Sequence, residues 1–402
     1  MGICSREVET VDLLGGLGRV LAEGIVADRD FPPFARATRD GYAVQAADLV
    51  EVPARLELVG EVKAGDWPDP AQCSVGRRQA VGIMTGAPLP KGADAVVMVE
   101  HTSLSAAGDS VEIRRNVSIG ENFVPRGAEA SAGQRLLDRG RRLDHAGVAI
   151  AASTGMSQVQ IFRKPRVAVL STGDEVVEID ATPGPAQIRN SNSYSLAAQV
   201  QNAGGEAVRL GIAPDERGRL RSLIEEGLGC DLLLLTGGVS MGKYDLVEQV
   251  LGELNAEFYF TGAEIQPGRP VVFGARAAGA GTRAGAPALH KKYFFGLPGN
   301  PVSTMVTFEL FARPMIEALA GMTPRRLVFL RARLKSGIRV KTGLKRFLPA
   351  VLSGEFENAE VELARWQGSG DIAALAHANC YVVVSPERGQ IEAGEWVPLQ
   401  MR

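Results

Sequence analysis

The sequence predicts an α/β domain built on an open, mostly parallel sheet, joined to two small β-rich domains and a small mixed N-terminal domain. Three observations carry this. Between residues 166 and 321, short apolar runs suited to buried strands alternate with segments of helical spacing, the pattern of a three-layer domain with helices on both faces of its sheet. In residues 28–133, and again beyond Pro324, short β-branched runs are cut by glycine and proline turns. The 402 residues, 45% hydrophobic and 22% charged, suffice for several buried cores.

Residues 10–27 read as a helix, with Val11, Leu14, Leu17, Leu21 and Ile25 roughly in phase. Asp30-Phe31-Pro32-Pro33-Phe34 ends it. Residues 56–62, 95–99 and 111–114 read as strands of a β-rich domain over 28–133. Residues 134–164 are mixed and are expected to pack back on the N-terminal segment, forming one domain with residues 1–27. The α/β domain is expected over 165–323, with strands at 167–170, 208–212, 232–235, 270–274 and 293–297. Its helices are expected at 195–203, stopped by Gly204-Gly205, at 220–228, directly after Asp245, and at 302–320, where Pro314 is a candidate kink. Residues 277–291, rich in Ala and Gly, are expected to form a flexible excursion between two strands. Residues 324–402 return to strand alternation at 328–334, 381–384 and 396–399, giving a C-terminal β domain.

Composition narrows the function classes. A net charge of −2 provides no global field for nucleic acid or for an anionic membrane surface. The four cysteines (Cys4, Cys73, Cys230, Cys380) are far apart with no C-x-x-C pair, against a zinc site or a disulfide framework and in keeping with a reducing cytoplasm. The four histidines are equally scattered. Neither a signal peptide nor an apolar run of membrane length is visible.

The richest segment is 231–245. Leu232 to Leu235 suit a strand buried on both faces, which stops at Thr236-Gly237-Gly238. Glycines there let backbone N–H groups approach a ligand closely. Helical spacing resumes after Asp245, so the loop precedes a helix N-terminus, which favours anions. The loop also carries Ser240, Gly242, Lys243 and Asp245. In open α/β sheets ligands bind at the carboxyl ends of the strands. The other strand ends lead into Ser171-Thr172-Gly173-Asp174-Glu175, Pro214-Asp215-Glu216 and Pro298-Gly299-Asn300-Pro301-Val302-Ser303. Carboxylates on an edge that also binds phosphate recruit Mg2+, a hard cation with oxygen ligands. Taken singly, each has a plainer role: Asp245 with Glu248 is a capping box, Asp215 a helix cap, and Lys243 and Arg269 solvated surface cations. Their coincidence on one edge favours the chemical reading.

These segments, with others collinear along nearly the whole chain, resemble the molybdopterin molybdenumtransferase family, the bacterial MoeA proteins and the E domain of gephyrin. The landmarks are Gly18-Arg19-Val20-Leu21-Ala22-Glu23, Asp40-Gly41-Tyr42-Ala43, Met84-Thr85-Gly86-Ala87-Pro88 and Gly92-Ala93-Asp94-Ala95-Val96-Val97-Met98. Then come Ser171-Thr172-Gly173-Asp174-Glu175, Gly237-Gly238-Val239-Ser240 and Gln266-Pro267-Gly268-Arg269-Pro270. The last are Leu297-Pro298-Gly299-Asn300-Pro301-Val302-Ser303 and Gln367-Gly368-Ser369-Gly370. The resemblance implies that the α/β domain is of the molybdopterin-binding type. It implies an enzyme that takes adenylylated molybdopterin, cleaves AMP in a molybdate- and divalent-metal-dependent step, and inserts molybdenum into the dithiolene. It also implies a homodimer of four-domain subunits, whose active cleft lies between the α/β domain of one subunit and a β domain of its mate. Possible protein partners are a molybdopterin adenylyltransferase and recipient molybdoenzymes.

On this reading Asp215, Asp245 and Glu175 handle metal and phosphate, while Asp40 and Thr85 come from the neighbouring subunit. Thr172, Gly173, Thr236, Gly237, Gly238, Ser240, Gly242, Lys243, Arg269, Pro298, Gly299, Asn300, Ser303 and Ser369 bind the substrate. The chain departs from the family pattern at Val124, Gly262, Gln266 and Pro349, where cationic positions are lost or moved. Two alternatives remain open at this stage. One is a related nucleotide enzyme on the same α/β unit, a molybdopterin adenylyltransferase or a CinA-type hydrolase, and the other is a non-catalytic pterin-binding scaffold. The β domains bearing Asp40 and Thr85 speak against the first, and the retained carboxylates and glycine loops against the second.

Overall fold

A computed structural model describes residues 7–67, 69, 73–238, 246–277, 291–323 and 326–402. The N-terminal segment corrects the first expectation. Residues 10–27 form no helix: Val8–Asp12 is a strand paired antiparallel with Gln158–Phe162, and Ile25–Val26 pairs with Arg135–Leu137. Between them, turns around Gly15, Gly16 and Gly18 leave Leu14 and Leu17 largely exposed, 75% and 57%. A Cβ on Gly16 would lie 2.7 Å from Val159 Cγ2, so the turn must press against the partner strand. The apolar spacing imitates a helix, but the glycines and the long-range pairing decide otherwise. Leu21, Ile25, Leu137, Leu143, Ala151, Val159 and Ile161 share one core, which includes a residue of the His145–Ser153 helix.

The segment from Gly41 to Ile113 builds a six-stranded sheet whose strands include Gly41–Val44, Ala54–Val62, Gln79–Ile83 and Ala95–Met98, while Arg36–Ala37 pairs separately with Phe123–Val124. Gly41 sits where that sheet is tightest. A Cβ there would lie 1.8 Å from the Val97 carbonyl oxygen, which explains a glycine inside a strand.

The α/β domain follows with β1 (Arg166–Thr172), α1 (Ser191–Asn202), β2 (Glu206–Ala213), α2 (Arg217–Gly227), β3 (Leu232–Thr236), α3 (Leu246–Glu253), β4 (Ala256–Phe260), β5 (Val272–Ala277), β6 (Lys291–Leu297) and α4 (Pro301–Thr307). The sheet order is β2-β1-β3-β6-β5-β4. The first four strands are parallel, and β5 runs antiparallel to both β6 and β4, so the sheet is mostly parallel. Leu232 to Leu235 are fully buried. Alternate leucines feed two opposite cores, one with α2 and α3, the other with α1 and the helix that α4 begins. Each buried leucine contributes about 1.5–3 kcal/mol.

That last helix continues from α4 through a π-turn, Phe308–Ala312, into α5 (Arg313–Leu319). The Arg313 amide reaches back to the Phe308 carbonyl. The wider turn accommodates Pro314, whose ring would otherwise clash with a carbonyl of the preceding turn. The helix therefore passes the proline without ending. Helix α1 begins at Ser191, earlier than its apolar spacing suggested, because the Asn190 side chain caps it by accepting the Ser193 amide.

The C-terminal part forms another six-stranded sheet, with strands Leu330–Leu334, Lys345–Ser353, Glu360–Leu363, Cys380–Val384 and Trp396–Met401 and the Ile265–Gln266 strand from the α/β domain at its edge. Helix α6 (Ile372–His377) belongs to it. Val302 and Val306 of α4 are buried against Phe347, Leu375 and Tyr381, so this domain packs directly on the helix that follows the Pro298-Gly299-Asn300 turn.

Candidate functional site

The carboxyl ends of β2, β1, β3 and β6 lie side by side, because Thr172 pairs with Ala213, Ser171 with Thr236, and Thr236 with Leu297. A cleft of about 290 Å3 opens there, lined by Thr172, Glu175, Asn190, Asn192, Gly237 and Asn300 among others. Two glycine turns meet at its floor: a Cβ on Gly299 would lie 3.5 Å from the Gly237 Cα. Gly237 and Gly238 have φ of 90° and 59°, left-handed values that favour glycine. A side chain on Gly237 would also strike the Thr172 carbonyl at 2.7 Å.

The polar groups of the floor are arranged with little slack. Asn192 Nδ2 donates to Thr236 Oγ1 at 2.9 Å and to the Gly299 carbonyl at 2.7 Å. Thr236 Oγ1 donates to the Pro298 carbonyl at 3.2 Å. Asn190 Oδ1 accepts from Ser171 Oγ at 2.8 Å and from the Ser193 amide at 3.2 Å. Five buried side-chain polar atoms have no hydrogen-bond partner among the described residues; Ser193 Oγ and Gln199 Oε1 lie outside the cleft lining, and three belong to residues that line it: Asn190 Nδ2, Asn192 Oδ1 and Thr172 Oγ1. Asn190 is 2% exposed and Thr172 4%. Buried polar groups are normally paired, so an orphaned donor, acceptor and hydroxyl lining one cleft mark a place where a ligand completes the bonding. Asn190 and Asn192 were missed in the sequence, although an Asn-Ser-Asn-Ser run ahead of a helical pattern is a cap signal. They reach the cleft because Val176–Val177 pairs in parallel with Ile188–Arg189 and returns the chain to the end of β1.

Carboxylates gather at the rim. The Asp215 amide donates to Asp174 Oδ1 at 3.0 Å, and the Glu175 side chain folds back over Gly173, where φ is 125°. Burial first, then repulsion from Asp174 and Glu175, holds the Asp215 carboxyl above its ordinary range, opposed by a hydrogen bond from the Asp174 backbone. Asp215 does not cap α2: the cap position is Glu216, and its side chain makes no capping bond. Among the described residues, no three His, Cys, Asp or Glu side chains converge on a metal-sized site. Ser240, Gly242, Lys243 and Asp245 lie outside the described residues.

The remaining predicted residues divide. Gly173 adjoins the cleft through Glu175, and Thr236, Gly299 and Asn300 line it. Pro298 contributes its carbonyl to the floor. Ser303 is buried in α4 and is not among the residues that line the cleft. Arg269 is exposed, on a turn whose Gly268 presses on α4: a Cβ there would lie 2.4 Å from Thr307 Cγ2. Ser369 approaches from the C-terminal domain, and its carbonyl accepts the Val302 amide at 2.9 Å. Since Pro301 has no N–H, the first turn of α4 has less to offer an anion than its sequence suggests. Gln266 accepts a hydrogen bond from Arg346.

Asp40 and Thr85 come together elsewhere. The Thr85 amide donates to Asp40 Oδ1 at 2.6 Å, and the bonds from Thr85 hold that carboxyl below its ordinary range. Asp40 borders an apolar groove of about 930 Å3 with Leu58, Ile83, Met84 and Leu104. Among the described residues of the chain, those lining the cleft fall between Ser171 and Pro301, and neither Asp40 nor Thr85 is one of them.

Comparison with known proteins agrees with this architecture along the chain. Residues 2–155 match the MoeA N-terminal region (domain I and II), 168–318 a family described as a probable molybdopterin binding domain, and 331–401 the MoeA C-terminal region (domain IV). A molybdopterin molybdenumtransferase from Haemophilus influenzae is 30% identical, with 98% of this chain and 94% of the relative aligned. One of the same name from Bacillus subtilis is 33% identical over 97% and 89%. A Pyrococcus horikoshii structure described as a molybdopterin biosynthesis MoeA protein superposes with a TM-score of 0.69 at 32% identity, covering 99% of this chain and 95% of that one. A second structure from the same organism gives 0.75 at 28%. With every domain matched in order, the chain belongs to the MoeA family of molybdopterin molybdenumtransferases, enzymes of molybdenum cofactor biosynthesis.

Proposed function

We propose that this transferase takes adenylylated molybdopterin, releases AMP in a molybdate- and Mg2+-dependent step, and inserts molybdenum into the dithiolene. The observation that carries the reading is the orphaned set in the cleft. Asn190 Nδ2 is a donor, Asn192 Oδ1 an acceptor and Thr172 Oγ1 either. A phosphate offers acceptors only and would oppose Asn192 Oδ1. A neutral heterocycle with amide-like edges offers both, so the asparagine end suits the pterin ring. The phosphates then extend towards Gly237, Gly238 and the carboxylate rim.

At that rim, burial and then the facing Asp174 and Glu175 carboxylates raise the pKa of Asp215, and a hard divalent cation would relieve the repulsion within this oxygen donor set. Asp215, Glu175 and Asp245 would hold it, and a bound Mg2+ would neutralise charge on the phosphoanhydride as AMP leaves. Phosphoryl chemistry of this kind depends on positioning and charge more than on a protein nucleophile. The dithiolene supplies soft sulfur for molybdenum, so scarce cysteine and histidine are no obstacle. Lys243, Ser240 and Gly242, which follow Gly238 in the sequence, with Arg269 and Ser369 towards the C-terminal domain, would meet the oxyanions. Asp40 and Thr85 would complete the cleft from the second subunit of a homodimer. A cytoplasmic setting, with a molybdopterin adenylyltransferase upstream and molybdoenzymes downstream, accords with this chemistry; no helix among the described residues is long and apolar enough to cross a membrane.

The test mixes protein, adenylylated molybdopterin, Mg2+ and molybdate and follows AMP. Molybdate-dependent release is expected. Tight binding without release would make the protein a pterin-binding scaffold, and adenylylation of molybdopterin by ATP would make it an adenylyltransferase.

A further inference from the structure

We propose that Asp371, in the C-terminal domain, is a positioning residue for the cleft. Its carboxylate closes the loop whose Ser369 carbonyl holds the first turn of α4, and through that turn it sets the floor on which Asn192 and Thr236 are bonded. The kinetic arm of this proposal rests on the function proposed above, whereas the structural arm does not.

The chain of contacts is continuous. One Asp371 oxygen accepts the Ala374 amide at 3.0 Å, capping α6, and the other accepts the Gln367 amide at 3.0 Å. The Asp371 amide returns to the Gly368 carbonyl at 3.0 Å, and Gly368 has φ 130°, so one side chain ties both ends of a tight bend. Ser369 lies within that bend and its carbonyl accepts the Val302 amide at 2.9 Å. That amide would otherwise be one of the unpaired donors of a helix start. Immediately before it stand the Gly299 carbonyl, which holds Asn192 Nδ2 at 2.7 Å, and the Pro298 carbonyl, which holds Thr236 Oγ1 at 3.2 Å.

Apolar packing of Val302 and Val306 on Leu375 and Tyr381 brings the two domains together, but it is non-directional. A hydrogen bond has an angle to satisfy, so the Ser369–Val302 bond can fix the rotation of the turn where packing cannot. The carboxylate is needed because a single group must accept two amides at once. Alanine accepts neither, and asparagine offers one acceptor oxygen in place of two.

The experiment compares Asp371→Ala and Asp371→Asn with Asp144→Ala. Asp144 caps the His145–Ser153 helix by accepting the Gly147 amide at 2.8 Å and has no part in this chain of contacts. The readouts are hydrogen exchange at the Val302 amide and KM and kcat for adenylylated molybdopterin. Asp371→Ala should speed Val302 exchange and raise KM roughly fivefold, the factor that a lost cap is worth, with kcat nearly unchanged. Asp371→Asn should fall between, which keeps the test open if the alanine variant folds poorly. Asp144→Ala should leave both readouts at their wild-type values. Val302 exchange unchanged in both Asp371 variants would overturn the proposal, as would the same acceleration in Asp144→Ala. If the wild-type protein released no AMP, the functional reading would fail while the exchange measurement still decided this one.

Discussion

Replacing Asn192 with alanine separates binding from scaffolding at the cleft floor. The substitution removes two donated bonds, to Thr236 Oγ1 at 2.9 Å and to the Gly299 carbonyl at 2.7 Å, together with the orphaned Oδ1. Each neutral hydrogen bond is worth about 0.5–1.5 kcal/mol net, so the two internal losses should cost about 1–3 kcal/mol of stability. The sum should fall near the lower end, since Thr236 Oγ1 keeps its bond to the Pro298 carbonyl and the Gly299 carbonyl is near solvent. Loss of Oδ1 removes one bond to the ligand, about 1 kcal/mol, or about fivefold in affinity. Freedom gained by the Gly299 turn should raise KM further. The assay is steady-state AMP release with KM and kcat resolved, beside a denaturant titration. Thr236→Val is the comparison: it takes one hydroxyl from the floor and leaves Oδ1 in place, so its KM should rise less. Equal KM values for Asn192→Ala and the wild type, or an equal rise in Thr236→Val, would refute the assignment of Asn192 to the ligand.

Asp215→Asn should weaken the Mg2+ stimulation of AMP release while leaving the fold at least as stable near neutral pH. Because the folded pKa of Asp215 is raised, its contribution to stability is present below the unfolded pKa and lost as pH rises through the folded one, so amidation should help at about pH 7 and not at about pH 3; denaturant midpoints at the two pH values check the sign, and a variant less stable at the higher pH would refute it. Asp40 has the opposite sign: its lowered pKa makes its contribution full above the unfolded value and lost as pH falls through the folded one. Mixing inactive Asp40→Asn and Asp215→Asn proteins should restore about a quarter of wild-type turnover if the site is shared across a two-fold dimer, since half the dimers then carry one intact site; no recovery after subunit exchange would place Asp40 outside its neighbour's cleft. Gly41→Ala should destabilise the β domain by about 1–3 kcal/mol, because the new Cβ meets the Val97 carbonyl at 1.8 Å, and an unchanged unfolding midpoint would contradict that contact.

The α/β domain was legible because its signals are local. Leu232 to Leu235 suit a strand buried on both faces, and the glycine pair after them marks where it stops. The N-terminal segment was not. Its apolar residues recur at helical spacing, yet they are strand and turn residues whose conformation is set by pairing with Gln158–Phe162, far along the chain. Asn190 and Asn192 stood in an unremarked polar run. What makes them candidates is that Ser171, Ser193, Thr236 and Gly299 use up some of their atoms and leave others bare.

By itself the sequence determined most strands and helices of the α/β domain, though neither β4 nor the N-terminal strand, and with them the edge of the sheet where carboxylates and glycine turns collect. It also carried the family, through motifs spread over the whole chain. Only the tertiary structure decided which polar atoms in the cleft lack a partner, that the Val302 amide is taken by Ser369, and that Asp40 and Thr85 stand apart from the cleft within the chain. The physical reason is that strand period and turn chemistry belong to neighbours in sequence, whereas burial and hydrogen-bond satisfaction belong to pairs of residues that only folding brings together.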